Sequence, residues 1–500
     1  MSTAISRVEW EAKAAALSIR TQAFIDGVYV DAASGKTFSC ISPIDGKSQG
    51  QIAECEFEDV ERAVKASRRA FESGVWSETS PVHRKKVLQK FAVLIEQHAE
   101  ELALLESLDM GKPVADALSI DVSASVRCLN WTAEAIDKVY GEIAPTPNHE
   151  LGLITREPLG VIAAIVPWNF PLLMATWKYA PALAMGNSVI LKPSEKSPLS
   201  AIRIAELAMQ AGIPAGVFNV LPGFGKGAGE PLALHMDVDG LVFTGSTGVG
   251  KHLLQCAGRS NMKRAFMECG GKSPNLVFAD APDLQAAAEA AAIGIFFNQG
   301  EVCTAASRLL VERSIKDDFV KLVVEAGKNL HPKHPFDPSA PMGAIVDEGQ
   351  MNRVLDYIEK GKAEGAELAL GGERVMTETG GYYVAPTIFN EVAHEMSISK
   401  EEIFGPVLSV IGFDNEHDAI RIANDTDFGL AAGVWTQNLS KAHRVAKKLR
   451  AGSVWVNYWD GGDMTAPFGG FKQSGNGRDK SLHAFEKYTE LKSTWINLQA

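Results

Sequence analysis

Through the middle of the chain, short β-branched runs alternate with longer stretches whose apolar positions recur at helical spacing. Val161–Val166 predicts a strand, Leu172–Met185 a helix and Ser188–Leu191 a second strand. A helix over Pro198–Ala211, a strand at Val217–Leu221, a short helix and a strand at Leu241–Phe243 follow. A helix at Gly248–Ala257 and a strand at Arg264–Met267 complete the run. Strands joined by helices of this length imply right-handed crossovers and a parallel, doubly wound sheet.

A second alternation begins at Asn275–Ala279. It passes through an alanine-rich helix at Asp283–Phe296, a strand at Arg308–Glu312 and a helix from Ile315 to Asn329. The pattern therefore gives two α/β units. Tyr140–Thr155 carries no clear period, and the chain ends on the strand-like TELKSTWINLQA. Both read either as arms that pair with another subunit or as edge segments packed on their own chain.

Pro158–Trp177 runs twenty residues without a charge, the length of a membrane-spanning helix. Its Pro158, Gly160, Pro167, Asn169 and Pro171 make a buried strand, a turn and a helix the better reading, so no membrane association is expected.

Composition narrows the class. Five hundred residues exceed what one core serves, so two or three structural units are expected. Apolar residues at 46% and charged residues at 22% exclude wholesale disorder. Lysine plus arginine (49) against aspartate plus glutamate (61) leaves a net charge of −12 with no basic block, so no nucleic-acid partner is expected. Cys40, Cys55, Cys128, Cys256, Cys269 and Cys303 form no CxxC pair. That is neither a disulfide framework nor a zinc pattern, and it suits a reducing cytoplasm and a chain without a metal. The amino-terminal EWEAKAAALSIR is helical and charged, unlike a signal peptide.

Four clusters offer chemistry. FTGSTGVG, Phe243–Gly250, is a strand entering a glycine-rich turn and a helix, where bare backbone and free N–H groups can meet a phosphate. The spacing is not GxGxxG, so taken alone it equally describes a turn with no ligand. Lys192-Pro193-Ser194-Glu195 follows a strand's carboxyl end, where a lysine and a glutamate can hold two ribose hydroxyls; a solvated turn is the plainer alternative. Phe297-Asn298-Gln299-Gly300-Glu301-Val302-Cys303-Thr304 presents a cysteine after a glycine-containing loop, which describes either a reactive thiolate or a small buried group. In Met267-Glu268-Cys269-Gly270-Gly271-Lys272-Ser273-Pro274, a strand-end glutamate before two glycines can reach a cleft as a base of raised pKa, or lie salt-bridged at the surface.

Together PWNFP, KPSE, FTGST, ECGGKSP, NQGEVCTA, EEIFGPV and PFGGFKQSGNGRD, in this order and at these separations, resemble the aldehyde dehydrogenase superfamily over about residues 20 to 495. The resemblance implies an α/β aldehyde dehydrogenase-like fold. Its parts would be a Rossmann-like NAD-binding domain over 1–139 and 160–270, and a catalytic domain over 271–482. A small β oligomerisation segment over 140–159 and 483–500 would exchange between subunits of a homo-oligomer, a dimer of dimers.

Carried over by position, the resemblance makes Cys303 the nucleophile and Glu268 the general base. The Asn169 amide and the Cys303 N–H become the oxyanion hole, and Lys178 a lysine that supports proton transfer. Lys192 and Glu195 meet the adenosine ribose, Gly245 and Ser246 the pyrophosphate, and Glu402 and Phe404 the nicotinamide ribose, with Trp168 alongside. Val166, Pro167, Ser194, Gly225, Phe243, Val249 and Gly270 complete the implied NAD wall. Phe170, Met174, Trp177, Glu301, Thr304, Trp459 and Phe468 are the implied substrate contacts.

The implied chemistry is thiolate attack on an aldehyde, hydride loss to NAD⁺ and hydrolysis of the thioester with Glu268 drawing a proton from water. Cys269 departs from the leucine or alanine usual beside the base and adds an oxidisable thiol. A coenzyme A-acylating relative would lack Glu268, and a non-enzymatic homologue would lack one of the three central groups.

Asp460–Pro467 and the tail GNGRDKSLHAFEKYTELKSTWI look like the branch acting on γ-glutamyl-γ-aminobutyraldehyde and guanidinobutyraldehyde. Tyr458-Trp459 stands where that branch commonly has a smaller polar residue and a tyrosine. The aromatic channel would accept an ω-amino or guanidino aldehyde by its π faces, or a medium aliphatic or aromatic aldehyde.

Overall fold

The computed structural model describes residues 5–499. Its first large sheet is built from β1 (Val161–Ile165), β2 (Ser188–Lys192), β3 (Phe218–Val220), β4 (Gly240–Thr244) and β5 (Arg264–Glu268). All residues of β1, β2 and β4 are buried, because helices cover both faces of the sheet, so these strands read as continuous apolar runs. Val161, Ala163 and Ile165 pack with Val60, Ala63 and Val64 of the helix Phe57–Glu72, while Ile162 and Ala164 face the other cluster. That second face meets α1 (Pro171–Ala184), buried along its whole length, and α2 (Leu199–Ala211).

The strand order is β5-β4-β1-β2-β3, extended by the hairpin Ala23–Ile25 and Val28–Val30. Contacts among β1 to β5 are parallel, and the hairpin joins antiparallel through Phe24 and Val220. β1 and β4 are neighbours although two strands separate them in sequence. Their carboxyl ends therefore diverge and open a crevice, the place where open α/β sheets take ligands. α3 (Thr247–Arg259) leaves β4 there, its first turn closed by the Ser246 side chain, which accepts from Val249 N at 3.4 Å.

The second sheet also has seven strands, with β6 (Pro274–Val277) and β7 (Arg308–Glu312) near its centre. α4 (Leu284–Phe296) covers it and delivers the chain to the loop carrying Cys303. α5 (Glu348–Ala363) packs on the opposite face. The change of sheet falls between Glu268 and Pro274, so the base candidate sits on one sheet and the residues after it cross to the other.

The segment without a clear period and the strand-like tail meet each other. Thr489–Asn497 pairs antiparallel with Glu150–Pro158 over nine residues, and Glu142–Ala144 adds a third strand. Pro158–Trp177 resolves into the end of one strand, β1, a turn and the start of α1. Among the described residues no helix is long and apolar enough to cross a membrane.

Candidate active site

Three elements converge on a cavity of about 280 Å³. The turn after β1 brings Pro167, Trp168 and Asn169; the β4–α3 turn brings Thr244, Gly245 and Ser246; the crossing between sheets brings Cys269 and Gly270. Cys303 forms part of the wall, with Met174, Gln350, Arg353, Glu402 and Phe404.

The approach to Cys303 is a tightly specified backbone. Asn298, Gln299 and Gly300 take φ of 49°, 59° and 71°, three consecutive left-handed residues. A Cβ on Gly300 would meet the Gly405 carbonyl oxygen at 2.2 Å. The two side chains are tied down: Gln299 Oε1 accepts from Gly343 N at 2.8 Å, and Asn298 Nδ2 donates to the carbonyls of Asn169 and Glu301, each at 3.2 Å. Asn169 Nδ2 in turn donates to the Glu301 carbonyl at 2.9 Å. That uses one of the amide's two N–H groups and leaves the second for an oxygen in the cavity.

Desolvation pushes the Cys303 thiol up to about 12, and the carboxylates of Glu402, Asp460 and Glu268 add to it. A thiol at that value is protonated at neutral pH, so the sulfur gives up its proton as it attacks. Glu268, 3% exposed, is the candidate base for the water that hydrolyses the thioester: burial first, then Asp479, raises it to about 8 against the opposing charges of Lys178, Lys487 and Arg478. Neither of its carboxyl oxygens has a hydrogen-bond partner among the described residues. Its Oε1 lies close to Gly469, where a Cβ would stand 2.7 Å away, rather than in the wall of the Cys303 cavity. Reaching the cavity takes a side-chain rotation.

Lys178 contacts Asp479, which Lys487 grips from the other side, all three buried. Lys178 thus borders the base through Asp479's charge and does not line the cavity.

The residues beyond Cys303 fit a dinucleotide. Nothing lies within 4 Å of a Cβ built on Gly225 or Gly248, so backbone there is bare. The first amides of thirteen-residue α3 are donors of the kind phosphates take. Gly245 has no room for a side chain, since its Cβ would strike the Phe243 ring at 2.5 Å. Phe243, 3% exposed, thereby supports the turn from beneath. Lys192 Nζ and Glu195 Oε2 stand 3.5 Å apart at the end of β2, a donor and an acceptor spaced for a diol. Val166 is buried and donates its N–H to the Lys192 carbonyl, whereas the Val249 side chain is 47% exposed. Ser194 Oγ accepts from Lys196 N, turning the loop.

On the far side, Glu402 Oε1 accepts from Gly271 N at 3.0 Å, and a Cβ on Gly270 would lie 2.1 Å from Glu402 Oε2. The glycine pair of ECGGK makes room for this carboxylate, which burial lifts to about 7. Phe404, at φ 60°, turns its ring edge-on to Trp168 at 5.1 Å. Gln350 Nε2 donates to the Phe404 carbonyl at 2.8 Å and Arg353 Nη2 to the Glu402 carbonyl at 2.9 Å.

The sequence matches this site closely. The profile of the aldehyde dehydrogenase family (Aldehyde dehydrogenase family) matches residues 29–494. The chain belongs to this family. Its fold is the aldehyde dehydrogenase fold, and it is an oxidoreductase dependent on NAD(P).

This aldehyde dehydrogenase is 55% identical to the NADP/NAD-dependent aldehyde dehydrogenase PuuC of Escherichia coli over 98% of each chain. The indole-3-acetaldehyde dehydrogenase AldA of P. syringae, solved with NAD⁺ and IAA, superposes with a TM-score of 0.98 at 64% identity, covering 99% of this chain and 100% of that one. The γ-glutamyl-γ-aminobutyraldehyde dehydrogenase of Burkholderia cenocepacia gives 0.97 at 60% identity, with the same coverage.

Of the expected substrate contacts, Thr304 and Trp459 line a second cavity of about 390 Å³ with Phe297, Val302, Trp435, Tyr458 and Asp460. Met174 lines the first. Phe170 stacks on Phe297 at 6.2 Å under the Lys112 ammonium, and Trp177 packs on Phe468 at 5.1 Å. Glu301 departs from its expected place. Its side chain is fully buried, accepting from Val346 N at 3.1 Å, and only its main-chain carbonyl bears on the site. Gln350, Arg353, Phe297 and Asp460 were not expected here. EEIFGPV marks Glu402 and Phe404, but nothing in the sequence of α5 announces that it braces them.

Proposed function

We propose that Cys303 forms a thiohemiacetal and then a thioester with an aldehyde, and that Glu268 activates the water that releases the acid. One observation carries the reading: Cys303, the uncommitted Asn169 N–H and a dinucleotide-shaped turn border one cavity. The Cys303 sulfur bonds to the carbonyl carbon, its proton passes to solvent, and the π pair moves to oxygen. Asn169 Nδ2 and the Cys303 N–H hold that oxyanion. A bound NAD(P)⁺ supplies the acceptor for the hydride that leaves the carbon. Glu268 then takes a proton from water as its oxygen bonds to the acyl carbon, the C–S bond breaks, and the acid leaves. Glu268 favours water over coenzyme A as the acyl acceptor.

The substrate in this reading is a nitrogen-bearing aldehyde of the ω-amino or guanidino class. The second cavity supports it: the Trp435 and Trp459 rings and the Asp460 carboxylate in its wall offer a cation π faces and a charge partner. The likeness to a γ-glutamyl-γ-aminobutyraldehyde dehydrogenase points the same way. A second reading, an aromatic aldehyde, rests on the Phe297, Trp435 and Trp459 rings of that cavity and the likeness to AldA.

NAD⁺ is the preferred cofactor in this reading because Glu195 repels a 2′-phosphate. The domains divide as 1–139 with 160–270 for cofactor, 271–482 for catalysis, and 140–159 with 483–500 for assembly. Leu491 at 59%, Trp495 at 62% and Ile143 at 71% exposure on the small sheet support a homo-oligomer, a dimer of dimers. Six free cysteines suit the cytoplasm. A panel of amine-bearing, aromatic and aliphatic aldehydes, followed by reduced-nicotinamide absorbance, tests the reading. Higher kcat/KM for amine-bearing members is expected, and preference for uncharged ones overturns the substrate class.

A further inference from the structure

Three metal-ligating side chains meet away from the Cys303 cavity. His252 and Cys256 are four residues apart on α3, so they lie one above the other on the same helix face. Glu230 opens the short helix Glu230–Leu234, whose Leu232 and Ala233 share a buried cluster with Leu253 and Cys256 of α3. His252 Nε2 stands 3.6 Å from Glu230 Oε2 and 3.6 Å from Cys256 Sγ, and the three donor atoms all lie within 4.8 Å of one another. No CxxC spacing announces this set in the sequence, because its third member comes from a different helix.

The distances separate two accounts of the cluster. A nitrogen and a carboxylate oxygen that share a proton stand about 2.7–3.2 Å apart, so 3.6 Å is too long for a histidine–glutamate hydrogen bond. Tetrahedral zinc holds N and O ligands at about 2.0–2.2 Å and S at about 2.3 Å, which puts the ligand atoms roughly 3.3–3.6 Å from each other. Both contacts of His252 fall at that spacing. Nε2 has at most one proton to share between the oxygen and the sulfur, whereas a single cation serves all three atoms.

Charge and access fit the same ion. A thiolate and a carboxylate together offset a divalent charge. Cys256 is buried, and burial first, then the Glu230 carboxylate, raises its thiol's pKa against the charges of Arg259 and Lys263. The Lys263 ammonium is already held by the Ala233 carbonyl and Ser260 Oγ, each at 2.7 Å. The side chains of His252 and Glu230 keep 45% and 32% of their surface exposed, which gives an ion entry from solvent and leaves room for water beside it. Thiolate with imidazole suits zinc rather than magnesium or calcium.

We propose that Glu230, His252 and Cys256 bind a divalent ion of the zinc class, with water as the fourth ligand. On binding, the Cys256 thiol loses its proton to solvent and its sulfur bonds to the metal, with no change of oxidation state. The ion ties α3, whose first turn carries Gly248, to the segment Gly225–Gly229 that runs into Glu230. It thus joins the two bare-backbone segments of the dinucleotide site and takes no part in the reaction at Cys303.

The test uses Co²⁺ as a reporter, because a Co²⁺–thiolate bond gives a near-ultraviolet charge-transfer band that carboxylate and imidazole alone do not. Full-length C303A removes the catalytic thiol as a competing ligand. It should bind about one Co²⁺ per chain with that band, and Zn²⁺ should displace it. C256A in the same background should abolish the band. H252Q, at an exposed position where a fold defect is not expected, should weaken Zn²⁺ binding by at least about tenfold in competition with a chromogenic chelator, since losing a group that merely orients a ligand already costs about 10- to 100-fold. Zn²⁺ should raise the Tm of C303A more than that of C303A/H252Q. Absence of the band in C303A, a band that survives C256A, or a smaller loss of affinity in H252Q overturns the proposal.

Discussion

Asn169 Nδ2 lies 2.9 Å from the Glu301 carbonyl oxygen, two residues ahead of Cys303. The bond fixes the amide's plane and aims its second N–H at the cavity. Asn169→Ala removes one oxyanion donor, a change that costs about 10²–10³ in kcat at comparable sites. Steady-state kinetics should give a loss of that size, with NAD⁺ affinity retained on titration of protein fluorescence. A loss below about fivefold would take Asn169 out of the oxyanion hole.

Glu268 is held neutral by its surroundings, with a pKa of about 8 against 4.5 in an unfolded chain. Between those values the folded protein keeps a proton that the unfolded chain has released. Stability therefore falls as pH rises from about 4.5 to about 8. Glu268→Gln lacks that titration, so its Tm should exceed the wild type's at pH 8 and match it near pH 4. Turnover should show the opposite trend, rising through an inflection near pH 8 as the carboxylate forms, and Glu268→Gln should lose that inflection.

Glu195 stands 3.5 Å from Lys192 at the end of β2. A 2′-phosphate there meets a like charge, a repulsion on the order of 1–3 kcal/mol when partly desolvated. NAD⁺ should be favoured over NADP⁺ in kcat/KM by roughly tenfold, and Glu195→Gln should narrow that ratio. Equal efficiencies in the wild type would remove Glu195 as the discriminator.

Trp495 projects from the small sheet with 62% of its surface exposed. Trp495→Asp places a charge on an apolar face, which subunit association would have to desolvate. Light scattering should report a smaller particle for the variant than for the wild type. An unchanged mass would mean that this face is not an interface.

Much of this arrangement was legible in the sequence. β1 and β2 are buried on both faces, so their apolar runs stood out, and the structural bounds differ from the expected ones by a residue or so. The tail was legible as strand-like, whereas Tyr140–Thr155 was not, and neither showed an alternation that names its partner. Thr489–Asn497 is exposed at every position but the first, so no face imposes an alternation on its residues. The left-handed Asn298 and Gln299 were equally hidden, because their conformations are fixed by Gly343, Asn169 and Glu301 rather than by local preference. Glu301 looks like a substrate contact by position, yet its buried side chain accepts from Val346 N.

Replacing Cys303 with alanine should leave less than about a hundredth of wild-type turnover while NAD⁺ still binds, because the thiol acts on the aldehyde alone. A larger residual rate would mean another nucleophile.

Glu268→Gln keeps the side chain's volume but cannot take a proton from water, so the acyl group should remain on sulfur once hydride has left. Rapid mixing of the variant with NAD⁺ and an aldehyde substrate should give about one reduced cofactor per active site, then a much slower steady rate. Mass spectrometry of the quenched protein should find the acyl mass on the peptide that holds Cys303. Full steady-state turnover in the variant, or an acyl adduct on any other residue, would contradict the covalent route through Cys303 and Glu268.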